Sequence, residues 1–152
     1  MTSSSPIVVL TASSRTGTQA VKTLLESGSN VRAAARNMTK LESLKSLGAE
    51  TVEADLSQPE TIKAALKEGK VLFFINPPVY SGADMFEEAT RVAKVLAEAL
   101  KGSDIKRVVL LSSIGAEQSE GTGNIGTTHI LEGALKGFSN LEIVLLRCAY
   151  FV

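Results

Sequence analysis

This chain of 152 residues has one cysteine, no excess of either charge and no apolar run of membrane-spanning length, and each scarcity removes a class of protein. Cys148 has no partner for an internal disulfide and sits in an apolar, strand-like run, which points to a reducing compartment. A free cysteine of this kind is more often buried and inert than reactive. Lys plus Arg equals Asp plus Glu at 16 each. No global field therefore draws the chain to nucleic acid or to an anionic membrane, and either partner would need a local patch. The start, Met1-Thr2-Ser3-Ser4-Ser5-Pro6, has neither the basic residues nor the apolar core of a signal peptide. A cytoplasmic protein without a membrane span is expected. What is present, 44% hydrophobic and 21% charged residues, suits one soluble domain with a sizeable core.

The chain is organised around its first apolar run. Ile7-Val8-Val9-Leu10 reads as a strand buried on both faces, and the small polar residues Thr11, Ser13, Ser14 and Thr16 follow it up to Gly17. Ala20, Val21, Leu24 and Leu25 then recur at helical spacing over residues 18–27, so the turn opens onto a helix N-terminus. Backbone N–H groups and the helix dipole converge there on an anion, as a dinucleotide pyrophosphate requires. A dinucleotide fingerprint wants three glycines, and only Gly17 is present; Thr11 and Ser14 stand in the first two places. Their hydroxyls can donate to phosphate oxygens, yet the same turn also fits an ordinary helix cap.

Further along, strand and helix alternate. Strands are expected at 30–35, Glu50–Glu53, Val71–Ile75, Arg107–Ser113 and 141–146. The intervening helices are expected at 39–47, with Leu41, Leu44 and Leu47 on one face, and at Pro59–Leu66, capped by Ser57 or Gln58. Two more are expected at 84–100, with a stripe of Met85, Ala89, Val92, Leu96 and Leu100, and at 127–136. This order predicts an α/β fold: a doubly wound, mostly parallel, six-stranded Rossmann-like sheet with helices on both faces. Ligands of such sheets bind outside the carboxyl ends of the strands, at the switch point beside the first strand. The turns at 11–17, 36–40, 55–56, 76–78 and 112–115 all fall on that edge. Their convergence favours a dinucleotide over a simple cap.

Charge chooses between dinucleotides. An acid after the second strand suits the ribose 2′-hydroxyl of NAD, whereas a 2′-phosphate needs a cation. The chain supplies Arg36, with Arg32 before it, Lys40 after it and Arg15 in the first turn, and no acid lies between Glu26 and Glu42. NADP(H) is the expected cofactor, although such cations also make an ordinary solvated face.

The segments Thr11-Ala12-Ser13-Ser14-Arg15-Thr16-Gly17, Val-Arg-Ala-Ala-Ala-Arg-Asn at 31–37, Ala-Asp-Leu at 54–56 and Asn-Pro-Pro at 76–78 come in a specific order. With Leu-Leu-Ser-Ser-Ile-Gly-Ala at 110–116 and Leu-Leu-Arg-Cys-Ala-Tyr-Phe at 145–151, the chain resembles the NmrA-like branch of the atypical short-chain dehydrogenases/reductases over nearly its whole length. That family's first turn usually reads Gly-Ala-Thr-Gly-x-x-Gly, from which Thr11 and Ser14 depart. The resemblance implies that Arg15, Arg36 and Lys40 neighbour the 2′-phosphate, Asp55 and Leu56 the adenine, and Asn76 and Pro77 the nicotinamide ribose. It also implies three kinds of relative: quinone reductases, reductases of secondary metabolism, and regulators that bind NADP without turning it over.

Short-chain reductases commonly use a Tyr proton donor with a Lys four residues later. No Tyr-x-x-x-Lys occurs here. With Glu132 set against the Glu that often follows that Lys, Thr128 takes the Lys place and Asn124 the Tyr place. His129 is a candidate replacement donor, or a helix residue satisfied by a neighbour. Ser112 and Ser113, ending the fifth strand, are candidates to meet the nicotinamide and an acceptor carbonyl, or are turn formers only. Hydride transfer to a quinone or an iminium needs no protein acid, so an oxidoreductase acting on an electron-poor small molecule is the first expectation. A silent NADP-sensing module acting through a protein partner or a homo-oligomer is the second, and a non-redox enzyme reusing the pocket the third. Residues 117–126, rich in Gly, Ser and Thr, read equally as a lid or as a surface connection. Residues 147–152 are largely apolar and offer nothing to cover the sheet. The expectation is therefore one NADP-binding domain over residues 1–152, lacking the C-terminal substrate-binding segment that the resemblance implies.

Overall fold

The computed structural model describes residues 4–78 and 84–149. The first three residues of the polar N-terminal run, and Tyr150, Phe151 and Val152 of the terminal apolar run, lie outside them. Six strands, β1 (Ile7–Leu10), β2 (Val31–Ala35), β3 (Glu50–Glu53), β4 (Val71–Ile75), β5 (Arg107–Ser113) and β6 (Glu142–Cys148), form one sheet in the order β3-β2-β1-β4-β5-β6. Every pairing is parallel. The order reverses beside β1, so the switch point lies between β1 and β4. Among the described residues five α-helices connect the strands: α1 (Arg15–Glu26), α2 (Glu42–Ser46), α3 (Pro59–Leu66), α4 (Met85–Lys101) and α5 (Gly126–Lys136). The Rossmann-like fold expected from the alternating pattern is the one observed.

Each side chain along a strand goes to the opposite face from its neighbour, and this sorts the core into two layers. Val8, Leu10, Leu72, Phe74, Val108 and Leu110 point one way and bury against α3, α4 and α5. Val9, Val31, Ala33 and Ala35 point the other way against α1, α2 and the turn before α2. On that second face the half of the sheet made by β5 and β6 has no helix over it among the described residues. Val109, Leu111 and Val144 are only half-buried there, and Leu146 is 44% exposed.

Several elements differ from the sequence reading in physically simple ways. α1 starts at Arg15 because the Ser14 hydroxyl accepts from the Gly17 N–H at 3.0 Å and caps it there. The helix expected at 39–47 divides into a 3-10 turn, Met38–Leu41, and the short α2. Asn37 caps the 3-10 turn by accepting from the Thr39 N–H at 3.0 Å. Leu41 and Leu44 are buried, but Leu47 lies past the helix end and is 55% exposed. Met85, at the start of the expected stripe on α4, is likewise exposed, since only from Ala89 onward does that helix cross the sheet. Neither expected cap of α3 donates or accepts as one: Gln58 precedes the helix without a side-chain cap, and Ser57 bonds Asp55 instead. β6 runs on to Cys148 because its register follows β5 to its last residue, pairing Ser113 with Cys148.

Arg32 belongs to this framework. It sits near the start of β2, buried, and its Nη1 donates to the carbonyls of Ala65 at 2.9 Å and Lys67 at 2.6 Å, at the C-terminal end of α3. Positive charge at a helix C-terminus meets the negative end of its dipole. Glu50 lies 2.9 Å from Nε but off its N–H axis, so the two attract by charge without a hydrogen bond. Arg32 is thus at the far edge of the sheet from Arg36. No helix among the described residues is long and apolar enough to cross a membrane.

Candidate functional site

The turn after β1 is held from three sides. Thr11 has a backbone φ of 57°, the left-handed region that a β-branched residue seldom enters. Its hydroxyl lies 2.8 Å from the Ile75 carbonyl at the end of β4 and 2.6 Å from the Leu10 carbonyl. The Ser14 N–H donates to the Thr11 carbonyl at 3.0 Å, and the Thr18 hydroxyl donates to the Ala12 carbonyl at 2.9 Å. Gly17 completes the turn by what it lacks. A Cβ there would stand 2.5 Å from the Thr11 carbonyl oxygen and 2.9 Å from Ala12 Cα, so only glycine lets α1 lie this close to β1. The first N–H groups of α1, those of Arg15 and Thr16, have no intrahelical acceptor by helix geometry, and the helix begins just past the carboxyl end of β1.

Beside this turn a cleft of about 790 Å³ opens over the switch point. Thr11, Ser13 and Ser14 form one side, Arg36 and Lys40 the outer end, Asp55, Leu56 and Ser57 the next wall, and Asn76 and Pro77 the side under β4. Four separate strand-end turns, those after β1, β2, β3 and β4, therefore meet at one place, as the fold requires of its ligand sites, while the fifth expected turn, 112–115, contributes no residue to the lining. Arg36 and Lys40 are exposed, and neither forms an ion pair among the described residues. The Asp55 carboxylate accepts from the Ser57 hydroxyl at 2.7 Å and the Ser57 N–H at 2.8 Å. Those bonds, with a smaller contribution from the charges of Arg36 and Arg91, hold its pKa below the usual carboxylate range.

Two further residues line the cleft that the sequence reading passed over. Arg91, on α4, donates to the Leu56 carbonyl and forms a bidentate pair with Glu88 one turn earlier, with Nε at 2.9 Å. The signal was present in the sequence, since Glu88 and Arg91 flank the buried Ala89 and Val92 at helical spacing. A second hollow, about 410 Å³, lies between α3 and α4 at the opposite edge of the sheet. Its walls are Lys63, Glu60, Glu98 and their neighbours, with Lys63 paired to Glu60, and it is remote from every strand-end turn.

The end of β5 has a different character. Ser112 is buried, and its hydroxyl donates to the Glu132 carboxylate at 2.6 Å rather than facing the cleft. Glu132, fully buried on α5, also accepts from Arg147 of β6 through Nε at 3.0 Å and Nη2 at 2.7 Å. Arg147, more than Ser112, holds the Glu132 pKa below its ordinary value against the opposing effect of burial. The Ser113 hydroxyl donates to the Ile114 carbonyl at 3.1 Å. His129 Nδ1 lies 2.7 Å from the Ala116 carbonyl. A carbonyl only accepts, so Nδ1 carries the proton and, in the neutral ring, Nε2 has none to give. The structure therefore groups the expected residues in three sets. Thr11, Ser13, Ser14, Arg36, Lys40, Asp55, Leu56, Asn76 and Pro77 share the cleft. Arg15, Thr16 and Gly17 stand on the first turn of α1 outside the cleft lining, and Ser112, Ser113 and His129 are engaged by the chain itself.

A family model described as NAD(P)H-binding matches residues 12–142. The photosystem II assembly factor of Cyanophora paradoxa is 27% identical over 146 residues, 95% of this chain and 46% of its own. Among solved structures, the triphenylmethane reductase of Citrobacter sp. complexed with NADP(H) aligns with a TM-score of 0.79 and 25% identity, over 95% of this chain and 50% of its own. An NADPH-dependent quinone oxidoreductase of Escherichia coli complexed with NADPH shares the fold, with a TM-score of 0.80 and 21% identity over 95% of this chain and 49% of its own. The chain spans about half the length of the relatives it matches.

Proposed function

This chain belongs to the NAD(P)H-binding family, and from that premise we propose that it binds NADP(H) in the cleft at the switch point and delivers hydride from NADPH to an electron-poor acceptor such as a quinone. The observation that carries the cofactor choice is the pair Arg36 and Lys40, exposed cations at the end of β2 without ion pairs among the described residues. A 2′-phosphate gains charge-assisted hydrogen bonds from such a site, whereas a 2′-hydroxyl gains little. The fit extends to the rest of the cleft. Ser13 with the free N–H groups of Arg15 and Thr16 would take the pyrophosphate, Asp55 and Leu56 the adenine side, and Asn76 and Pro77 the nicotinamide ribose. The dihydronicotinamide supplies the hydride when bound. The protein supplies orientation, and the proton comes from solvent.

A second reading has an observation of its own. Ser112 is committed to Glu132, and in the neutral ring the one His129 proton is committed to Ala116, so neither the hydroxyl nor the neutral imidazole offers a proton to a substrate carbonyl. A module that senses NADP(H) and signals to a protein partner fits this equally, and one relative is named as an assembly factor. Steady-state NADPH oxidation with a panel of quinones, iminium dyes and unactivated ketones separates the two. Turnover of quinones or iminium compounds but not ketones supports the reductase. Tight NADPH binding with no turnover of any acceptor supports the sensor.

A further inference from the structure

We propose that Thr11 is a positioning residue for the cofactor: its hydroxyl ties together the diverging tips of β1 and β4 and so fixes the floor on which the pyrophosphate side of NADP(H) rests. This builds on the reading above that the cleft takes that cofactor. The backbone ladder between β1 and β4 ends at Val9 and Phe73. Beyond it the strands part to open the crevice, and there the Thr11 hydroxyl, 2.8 Å from the Ile75 carbonyl, is the side-chain bond that bridges the gap. Its one proton is shared between that carbonyl and the carbonyl of Leu10, 2.6 Å away.

The tie is made from a strained position. Thr11 holds φ at 57°, where glycine is at ease and a β-branched side chain is not. Strained residues persist where their surroundings over-determine them, and here three elements do so. The Thr11 carbonyl accepts from the Ser14 N–H, α1 packs on that carbonyl through Gly17, and the hydroxyl reaches β4. Glycine in the same place relieves the backbone but leaves β4 untied. Thr11 also lines the cleft, so movement of its peptide moves the seat itself.

The test uses the full chain and its Thr11→Ser and Thr11→Gly variants, read by amide hydrogen exchange over residues 9–13 and 73–78 and by titration with NADPH. Serine keeps the hydroxyl and should keep affinity within about twofold. Glycine should leave the melting temperature unchanged or higher, speed exchange at both strand tips and weaken NADPH about fivefold, the scale of one neutral hydrogen bond. If the glycine variant does not fold, Thr11→Ala removes the same hydroxyl and carries the same expectation for affinity. Equal exchange and equal affinity in the serine and glycine variants, with native binding intact, overturn this inference alone. A native chain that binds neither NADPH nor NADH overturns the cofactor reading and this inference with it.

Discussion

Replacing Glu132 by Ala should be among the most damaging single changes outside the apolar core. The Glu132 carboxylate is fully buried and is the acceptor for the Ser112 hydroxyl and for two nitrogens of Arg147. Its loss leaves the Ser112 hydroxyl, 2% exposed, without that acceptor, at about 1 to 3 kcal/mol. Breaking a buried pair costs about 3 to 5 kcal/mol in general, but Arg147 keeps access to water and to Glu117, 3.4 Å away, which lowers the figure. A total near 3 kcal/mol follows for Glu132→Ala. Glu132→Gln, which keeps one acceptor oxygen, should cost about half as much. The gap between native and Gln depends on pH with a definite sign. The folded-state pKa of Glu132 is lowered, chiefly by Arg147, so its contribution is present above the unfolded value of about 4.3 and is lost as pH falls through the folded value. Urea midpoints at pH 7 and pH 4 should show a clear gap at the first and a smaller one at the second. Equal midpoints at pH 7, or a gap that widens on acidification, would refute the role given to this carboxylate.

Gly17→Ala should destabilise the chain by about 2 to 3 kcal/mol, because the added methyl meets backbone atoms of Thr11 and Ala12 at 2.5 and 2.9 Å; an unchanged urea midpoint would mean the turn is not packed as described. Arg32→Ala should lower stability by about 1 to 3 kcal/mol by releasing the Ala65 and Lys67 carbonyls, yet leave the ratio of NADPH to NADH affinity untouched. A changed ratio would place Arg32 in the cofactor site after all.

Much of this architecture was legible because apolar runs and strand-end turns are local signals. Val71–Ile75 and Arg107–Ser113 announce buried parallel strands by composition alone, and the order of elements then dictates where the switch point falls. What could not be read were features set by contacts between distant residues. Ser112 looks like a cleft-facing hydroxyl at the end of a strand, but alternation turns it inward, where Glu132, 20 residues later, captures it. Arg32 and Arg36 look like one cationic group in sequence, yet the first reaches back to α3 while the second stands at the strand's carboxyl end. The left-handed backbone of Thr11 runs against its local preference, and only the packing of α1 and the tie to β4 account for it.

The central claim is that this cleft selects NADP(H) through Arg36. Isothermal titration of the native chain and of Arg36→Ala, each with NADPH and with NADH, tests it most directly. The native chain should prefer NADPH at least about tenfold, a difference of about 1.4 kcal/mol that one charge-assisted pair can supply, and the variant should lose most of that preference while its NADH affinity hardly changes. Equal native affinities for the two dinucleotides, or a preference that survives the loss of Arg36, would contradict the account.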